Sequence, residues 1–493
     1  MRTFRATSDM PCDARALYDW HARPGALERL TPPWQSVRIA ERRPGSDHPR
    51  IGNGAIARMM IGVGPLSIPW VAEHFDHEPP NGFSDRQVSG PFGSWTHRHR
   101  FNDLDNGWSE LDDSIEYSPP AGLAGSVLLG GKLASDLDRL FWFRHERTRA
   151  DLARHESNAK PKTIAIAGSS GMIGSALAAF LSTGGHKVIR LVRKPAESGP
   201  IDGIEQRRWD PVGCDLAPGA LADVDVVINL CGSNVASRRW TDKRKVELER
   251  SRVGSTSLLA GTIAALPGAD RPELLINASG AHAYGDGGDE PVTERSDRGH
   301  GYLASLVRKW EAATRPAEAA GVRVIHARLG MVLGANGGAL KSLMLPTKLG
   351  LAGPIGTGRQ WWSWIGLDDA IGAIHFLLSR DNISGPVNVC APDAATANDV
   401  VSAIAEAARR PAVVGLPAGA ARTLMGTEMA TESLLSSIRA EPTILNELGF
   451  AWRHPTLSPA VGWELGIRRL VAQSAGTEPA PFLPGRKRQS ETA

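Results

Sequence analysis

One stretch, 163-TIAIAGSSGMIGSALAAFL-181, restricts the fold more than any other part of the chain. A continuous apolar run leads into Gly168, Gly171 and Gly174 and then into an apolar helical pattern. A run buried without alternation suits a parallel strand covered on both faces. Glycines at this spacing permit a tight turn and let backbone N–H groups approach a pyrophosphate, whose charge the helix N-terminus favours. Ser169, Met172 and Ile173 fill the turn and open the helix. The strand–turn–helix context makes this GxxGxxG a dinucleotide site rather than an ordinary glycine-rich turn.

Downstream of this helix the chain repeats the alternation of strand and helix that marks a parallel sheet. Strand patterns at 187-KVIRLV, 225-DVVINL, 273-ELLINAS and 322-VRVIHARLG are interleaved with helical patterns at 172–184, 242–265 and 302–320. The expected fold is an α/β Rossmann-type doubly wound parallel sheet. Residues 229-NLCG-232 end the third strand, and the resemblance of this motif to extended short-chain dehydrogenases/reductases implies cofactor contacts at Leu230, Cys231 and Gly232. From about 335 to 470 the pattern is irregular, with helical segments near 369–379, 396–409, 415–437 and 442–448. The last residues, 476–493, have the Pro, Gly and charge content of a disordered end.

The strand after the glycines bears on which cofactor is held. An NAD site wants a carboxylate there for the ribose 2′-hydroxyl, whereas NADP favours a cation. This strand ends 190-RLVRKP-195, and its first acid is Glu197. Arg193 and Lys194 are therefore expected to clamp a 2′-phosphate and select NADP(H). The alternative is a solvated basic turn.

The first 155 residues read differently. Two short helical patterns within 12–33 precede six runs of strand type, from 36-SVRIAERR to 107-GWSELDDSIEYS, and a long helical pattern ends near 155. This α+β layout, a curved sheet gripping one long helix, leaves room for a cavity. Trp70, Phe83 and Trp95 are candidates to line it for an apolar or aromatic ligand, or simply to pack a core. His97 and His99 share one face of a strand, and His74 and His77 lie on another. No third ligand is fixed by spacing, so cross-strand polar pairing is expected and no metal. Residues 156-ESNAKPK-162 read as a linker.

Composition narrows the setting. At roughly 150 residues per domain, 493 residues suggest two to four domains. Lys+Arg 56 against Asp+Glu 53 leaves a net charge of +3, which gives no field to recruit nucleic acid or an anionic membrane. The 4 cysteines are scattered without a CxxC pair, which argues against disulfides and zinc. No apolar run approaches the ~20 residues of a membrane span. A cytoplasmic protein is expected. With only 4 tyrosines against 14 tryptophans, each phenol deserves attention.

The segments 168-GSSGMIG-174, 229-NLCG-232 and 279-SGAHAYG-285 resemble the extended short-chain dehydrogenase/reductase superfamily. More narrowly, 238-RRWTDKRKVELERSRVGST-256, 310-WEAA-313, 328-RLGMVLGANGGAL-340, 353-GPIGTGRQWWSWIGLDD-369 and 385-GPVNVCAPDAAT-396 resemble its NAD-dependent epimerase/dehydratase-like epimerase family. A small C-terminal domain of unknown function in that family resembles 411–465, including 415-GLPAGAARTLMG and 448-LGFAWRHP. At the other end, 24-PGALERLTPPW-34 and 90-GPFGSWTHRHRF-101 resemble a helix-grip, START-like polyketide cyclase/ligand-binding domain. The implied organisation is a START-like domain at 1–155, a linker at 156–162, an NADP-binding domain with substrate lobe at 163–410, and a helical extension at 411–470.

The resemblance implies the chemistry. In the superfamily a Tyr passes the proton while nicotinamide exchanges a hydride, a Ser or Thr hydroxyl polarises the carbonyl, and a Lys four residues after the Tyr lowers its pKa. A phenol near pKa 10 needs such a cation to act as a base at neutral pH. Ser279 falls at the hydroxyl position and Tyr302 at the Tyr position. The Lys is absent, because position 306 is Leu. Lys309 is two turns from Tyr302, about 10 Å of rise. Tyr284 is expected in the pocket wall. Trp361, Trp362 and Trp364 are expected in the core, ahead of a helix N-capped by Asp368 or Asp369. The family usually has a His where Gly366 stands, so that contact does not carry over.

The leading expectation is an NADP(H)-dependent oxidoreductase or epimerase-like enzyme acting on a small carbonyl or hydroxyl substrate, with Ser279 and Tyr302 catalytic. The alternative is an NADP(H)-binding regulatory or sensor protein without normal turnover, with recognition in the N-terminal cavity. A homodimer through the helices at 242–265 and 302–320 is implied by resemblance alone.

Overall fold

The computed structural model describes residues 1–63, 66–119, 122–156, 160–196 and 203–472. Glu197, the middle of the expected linker (157–159) and the expected tail 476–493 lie outside the described residues.

The first sheet is antiparallel and seven-stranded. Its strands are β1 (Arg2–Met10), β2 (Val37–Arg43), β3 (Ile56–Val63), β4 (Leu66–Glu78), β5 (Gly82–Ser89), β6 (Ser94–Asp103) and β7 (Ser109–Ser118), in the order β1-β7-β6-β5-β4-β3-β2. Burial alternates along β6 and β7, the period-2 signature of a sheet with one covered face. Helix α1 (Ala14–Ala22), N-capped by the Asp13 carboxylate on Ala16 N at 2.7 Å, and the short α2 (Ala26–Leu30) follow β1. The 35-residue α3 (Gly122–Glu156), about 50 Å long at 1.5 Å per residue, lies on the covered face. Phe141 and Leu137 of α3 pack on Ala6, Trp95, Ile115 and Tyr117.

The second sheet is parallel and also seven-stranded. From β8 (Thr163–Ala167) the chain runs through α4 (Met172–Thr183), β9 (Lys187–Val192), β10 (Glu205–Arg208) and β11 (Val226–Asn229). It continues through α5 (Asp242–Glu249), α6 (Ser255–Ala265), β12 (Leu274–Gly280), β13 (Pro291–Val292), α7 (Tyr302–Ala312), α8 (Arg315–Ala319) and β14 (Arg323–Leu329). Strands β15 (Met331–Gly334), β16 (Trp361–Trp362) and β17 (Trp364–Gly366), with α9 (Gly338–Lys348) and α10 (Leu367–Leu378), lead to β18 (Gly385–Val389). The order β10-β9-β8-β11-β12-β14-β18 reverses direction between β8 and β11, where open α/β sheets place their ligand crevice. Helices cover both faces, so β8 and β11 are buried almost throughout.

Several expected elements are interrupted. The helix expected over 242–265 is α5 and α6 joined by a π turn, Arg250–Gly254. The one expected over 302–320 breaks between α7 and α8, where Pro316 enters the first turn of α8. The 415–437 helix is two short helices, Ala418–Met425 and Thr427–Met429, split at Gly426 (φ +91°), followed by a π turn at Ala430–Leu434.

The sheets are joined tightly. A Cβ on Gly25, ahead of α2, would lie 2.7 Å from the Ala179 backbone of α4, so only glycine permits this approach. Beside it Arg29, 3% exposed, forks onto Asp151 of α3 at 2.6 and 2.7 Å and stacks over the Phe180 ring. Asp368 of α10 lies 3.4 Å from Arg29, 3.0 Å from Arg147 and 3.3 Å from Arg453, and accepts the Trp463 indole N–H at 2.7 Å. Burial opposes its charge, but Arg147, Arg29 and Arg453 override that and hold its pKa well below the carboxylate range. Asp369 accepts from Arg154 and from the backbone N–H groups of Arg453 and His454. The expectation that Asp368 or Asp369 caps α10 is thereby corrected: Gly366 is the N-cap, and the arginines draw both carboxylates into the junction.

Candidate functional site

The expected cofactor turn is built from backbone. Gly168 follows β8 at φ +77°, and a Cβ there would sit 2.7 Å from the Leu230 carbonyl. On Gly174 a Cβ would meet Gly168 O at 2.3 Å. Gly171 caps α4 without a side-chain hydrogen bond, which leaves the helix N-terminus open to an anion. Ser169 is 1% exposed and its Oγ has no hydrogen-bond partner, a buried hydroxyl left unmatched inside the glycine turn. The cradle and the orphaned hydroxyl fit a dinucleotide.

Other expected contacts divide between binding and support. Met172 packs its sulfur where Cβ atoms on Gly334 and Gly337 would fall, and Ile173 packs on the apolar core. At the end of β11, Asn229 Oδ1 accepts from Cys231 N at 3.1 Å, which shapes the turn against Gly168. The Asn229 amide donates to Thr256 and Asn277, and Thr256 accepts the Trp310 indole N–H. Burial pushes the Cys231 thiol up to about 12, so it is a neutral packing group. Arg193 and Lys194 are exposed just past β9 and make no ion pair among the described residues.

Ser279 and Tyr302 are held by different acceptors. Ser279 Oγ donates to Glu311 Oε1 at 2.7 Å, and Glu311 is held by a two-pronged pair with Arg328 at 2.9 and 3.1 Å and by Arg298. Tyr302 opens α7 about 13 Å of rise before Glu311. Its hydroxyl donates to the Lys245 carbonyl at 3.2 Å, and its ring packs on Trp240 under the Lys245 ammonium. Burial, then Glu249, pushes its phenol pKa up, the opposite of what an activating Lys does. Lys309 cannot supply that cation, because it pairs with Glu249 at 2.8 Å. Glu432 accepts from the Tyr302 and Leu303 amides and so caps α7 from the C-terminal region.

Tyr284, expected in the pocket wall, is buried among Ala281, Cys390, Ile438 and Ala440 and donates to Asn388 at 2.7 Å. Trp362 and Trp364 are core residues as expected, whereas Trp361 is half-buried beneath Arg439.

Two groups that sequence reasoning missed lie beside the ends of β11 and β12. Arg252, carried by the π turn, has its guanidinium carbon 3.1 Å from where a Cβ on Gly232 would be and lies over the Trp310 ring. It makes no ion pair among the described residues, and burial lowers its pKa to about 10. His282 follows Gly280, and its Nδ1 is 4.0 Å from a Cβ built there. Burial, then Arg252, lowers its pKa to about 4, which keeps the imidazole neutral. The only sequence signal was the run 238–256, whose periodicity looked like one plain helix. π turns recur at functional sites.

The N-terminal sheet and α3 enclose a cavity of about 370 Å³. Trp70, Phe83 and Trp95 line it, with Met59, Ile61 and the α2 residues Leu27 and Leu30. His97, His99 and Asp85 form part of its wall. Of the other histidine pair, His74 also lines the cavity, whereas His77 pairs with Asp47 on the outside.

Comparisons with known proteins agree with this division. The NAD dependent epimerase/dehydratase family matches residues 164–390, and a domain of unknown function, DUF1731, matches 416–464. The epimerase family protein Mb2239 of Mycobacterium bovis is 42% identical over 301 residues, 61% of this chain and 96% of the relative. The human epimerase family protein SDR39U1 is 32% identical over 302 residues, 60% of this chain and 98% of the relative. Among solved structures, the nucleoside-diphosphate sugar epimerase of Corynebacterium glutamicum is similar over 95% of this chain and 93% of its own, with TM-score 0.74 and 30% identity. Human SDR39U1 (isoform 2), solved with NADPH, is similar over 62% of this chain and 99% of its own, with TM-score 0.55 and 29% identity. No helix among the described residues is long and apolar enough to cross a membrane. A parallel sheet with its glycine turn at the β8/β11 crevice, together with 42% identity across nearly the whole of a curated relative, establishes that the chain belongs to the NAD dependent epimerase/dehydratase family.

Proposed function

We infer that the chain is an NADP(H)-dependent oxidoreductase or epimerase of a small carbonyl or hydroxyl compound. The observation that carries the reading is the glycine turn, crowded by Leu230, open at the α4 N-terminus and holding the orphaned Ser169 hydroxyl. The NADPH in the human SDR39U1 structure supports the choice of cofactor, as do the exposed cations at Arg193 and Lys194. The Gly168, Gly171 and Gly174 backbone holds the pyrophosphate, Arg193 and Lys194 the 2′-phosphate, and the Leu230–Gly232 turn lies alongside. Bound there, the nicotinamide exchanges a hydride with the substrate carbon.

In this reading Arg252 meets an anionic or carbonyl oxygen, and neutral His282 offers a hydrogen bond beside Gly280. Ser279 and Tyr302 keep the roles of orienting group and proton donor. Each hydroxyl must first leave its present acceptor, Glu311 or the Lys245 carbonyl. The raised pKa keeps Tyr302 protonated at neutral pH, which suits donation in the reducing direction. At the other end, a START-like helix-grip unit (1–155) holds an apolar or aromatic guest, followed by the linker (156–162), the cofactor and substrate unit (163–410) and the helical extension (411–470). The reading includes a cytoplasmic homodimer through α5–α6 and α7–α8.

Titration with NADPH and NADH tests the cofactor. Arg193→Ala/Lys194→Ala is expected to weaken NADPH at least tenfold and leave NADH unchanged; equal loss of both removes the 2′-phosphate clamp. NADPH oxidation across a carbonyl panel tests turnover, and unchanged turnover in Tyr302→Phe removes Tyr302 as the donor.

A further inference from the structure

Strand pairing in the N-terminal sheet assembles a constellation that residue spacing alone did not reveal. On the covered face, Asp85 of β5 is directly opposite His97 of β6, and His99 of β6 is directly opposite Asp113 of β7. His97 is 3% exposed, His99 7% and Asp113 3%. Three of these groups, Asp85, His97 and His99, bring ligand-type atoms within 4.8 Å of one another on the cavity wall.

The fourth, Asp113, decides which nitrogens point inward. His97 Nε2 donates to Asp113 Oδ1 at 3.2 Å, and His99 Nδ1 lies 2.6 Å from the same oxygen, off the line of a good hydrogen bond. A bare lone pair that close to a carboxylate would be repelled, so both far nitrogens carry their protons. His145 Nε2 donates to Asp113 Oδ2 at 2.8 Å, and its Nδ1 accepts from Ser8. This is the carboxylate–histidine arrangement that fixes tautomers behind metal ligands.

The near nitrogens, His97 Nδ1 and His99 Nε2, lie 3.3 and 3.8 Å from Asp85 Oδ2. Those separations are long for hydrogen bonds, which run from roughly 2.7 to 3.2 Å. The shorter matches the edge of a tetrahedron with metal bonds of about 2.0–2.1 Å, roughly 3.3–3.4 Å, and the longer exceeds it by about 0.4 Å. A metal bound among these atoms would take the place of the proton that His97 shares with Asp85.

We propose that Asp85, His97 and His99 bind a divalent transition metal of the zinc class, with one coordination position open to the N-terminal cavity. Two imidazoles and one carboxylate match the ligand preference of zinc and its neighbours. Asp113, His145 and Ser8 are positioning residues. The open position faces Trp70, Phe83 and Trp95, with the Arg144 guanidinium on the same cavity wall. The guest is therefore an apolar or aromatic molecule with an anionic oxygen, a carboxylate, phenolate or enolate. The site does not depend on the proposed function of the parallel sheet.

The test uses the full-length, untagged chain stripped with a chelator, then titrated with Zn2+ against a chromophoric competitor and with Co2+ by visible absorption. One ion per chain is expected, with the ligand-field bands of low-coordinate Co2+ and a raised melting temperature with Zn2+. His99→Gln and Asp85→Asn are expected to weaken binding at least tenfold. His74→Gln, on the cavity wall but hydrogen-bonded to the Ala55 carbonyl, is expected to leave it unchanged. Failure of the wild-type chain to take up either ion overturns the proposal, as does unchanged affinity in folded His99→Gln or Asp85→Asn. If neither variant folds, octahedral Co2+ bands alone from the wild-type chain overturn it.

Discussion

The antiparallel sheet keeps its polar chemistry in mid-strand, on an enclosed face, whereas the parallel sheet keeps it at strand ends. Asp85, His97, His99 and Asp113 sit inside β5–β7, opposite one another across the strands and beneath α3. In β8 and β11 the buried residues are apolar until Asn229, the last residue of β11, and the chemistry begins with Gly168, Gly232 and His282 beyond. The cause is topological. A sheet with one covered face and a single gripping helix can leave a hollow over its middle, lined by alternate side chains. A sheet covered on both faces has no such room, and its openings lie where loops leave the strand ends.

Four measurements would break or sharpen that contrast. The largest effect is expected at the seam. Asp368→Asn strands Arg147 and Arg453 without a carboxylate and should cost about 3–5 kcal/mol, as for a broken buried ion pair. Calorimetry should show one transition in the parent and two in the variant; a single unshifted transition would mean that the sheets are not joined here.

Next, Gly168→Ala forces a Cβ against the Leu230 carbonyl and strains the turn. NADPH affinity should fall at least 100-fold, about 2.7 kcal/mol, while cavity binding of a fluorescent apolar dye is unchanged. Parallel losses at both sites would erase the distinction between them.

Third comes a pH effect. Burial, then Asp368, pushes Glu464 up from 4.5 to about 8. The folded chain therefore holds a proton that the unfolded chain releases, and this group's contribution to stability declines as pH rises from about 4.5 to 8. Glu464→Gln should flatten that limb by about 1–2 kcal/mol in denaturant titrations across this range; an identical slope would show that Glu464 is ionised throughout. Smallest of all, Lys309→Ala removes an exposed pair with Glu249 and should change stability by less than about 0.5 kcal/mol and turnover not at all. A large loss of turnover would return Lys309 to the proton relay.

What was legible in the sequence was local. Gly168 announces the turn through its positive φ and Gly174 through the room it leaves for the Gly168 carbonyl, and the strand runs of both sheets show their periods directly. His97 and His99 could be placed on one face by counting, but Asp85 and Asp113 joined them only through the register of β5, β6 and β7. The Asp368 cluster draws on Arg29, Arg147 and Arg453, far apart in the chain, so no window contains it. The surroundings of Tyr302 were hidden for the same reason. Its position beside the glycine turn's partner motif is a matter of order, whereas its actual neighbours, Trp240 and Lys245, come from the segment before α5 and from α5 itself. Arg252 was hidden by a π turn that periodicity reads as plain helix.

The approach of Gly25 to Ala179 has a mechanical consequence. Helix α2 is at once a wall of the cavity, through Leu27 and Leu30, and a neighbour in backbone contact with α4, the helix that the glycine turn opens. With no side chain between them to absorb a displacement, the contact transmits push as a gear tooth does. Any displacement of α2 would therefore be felt by α4, and by reciprocity any displacement of α4 by α2.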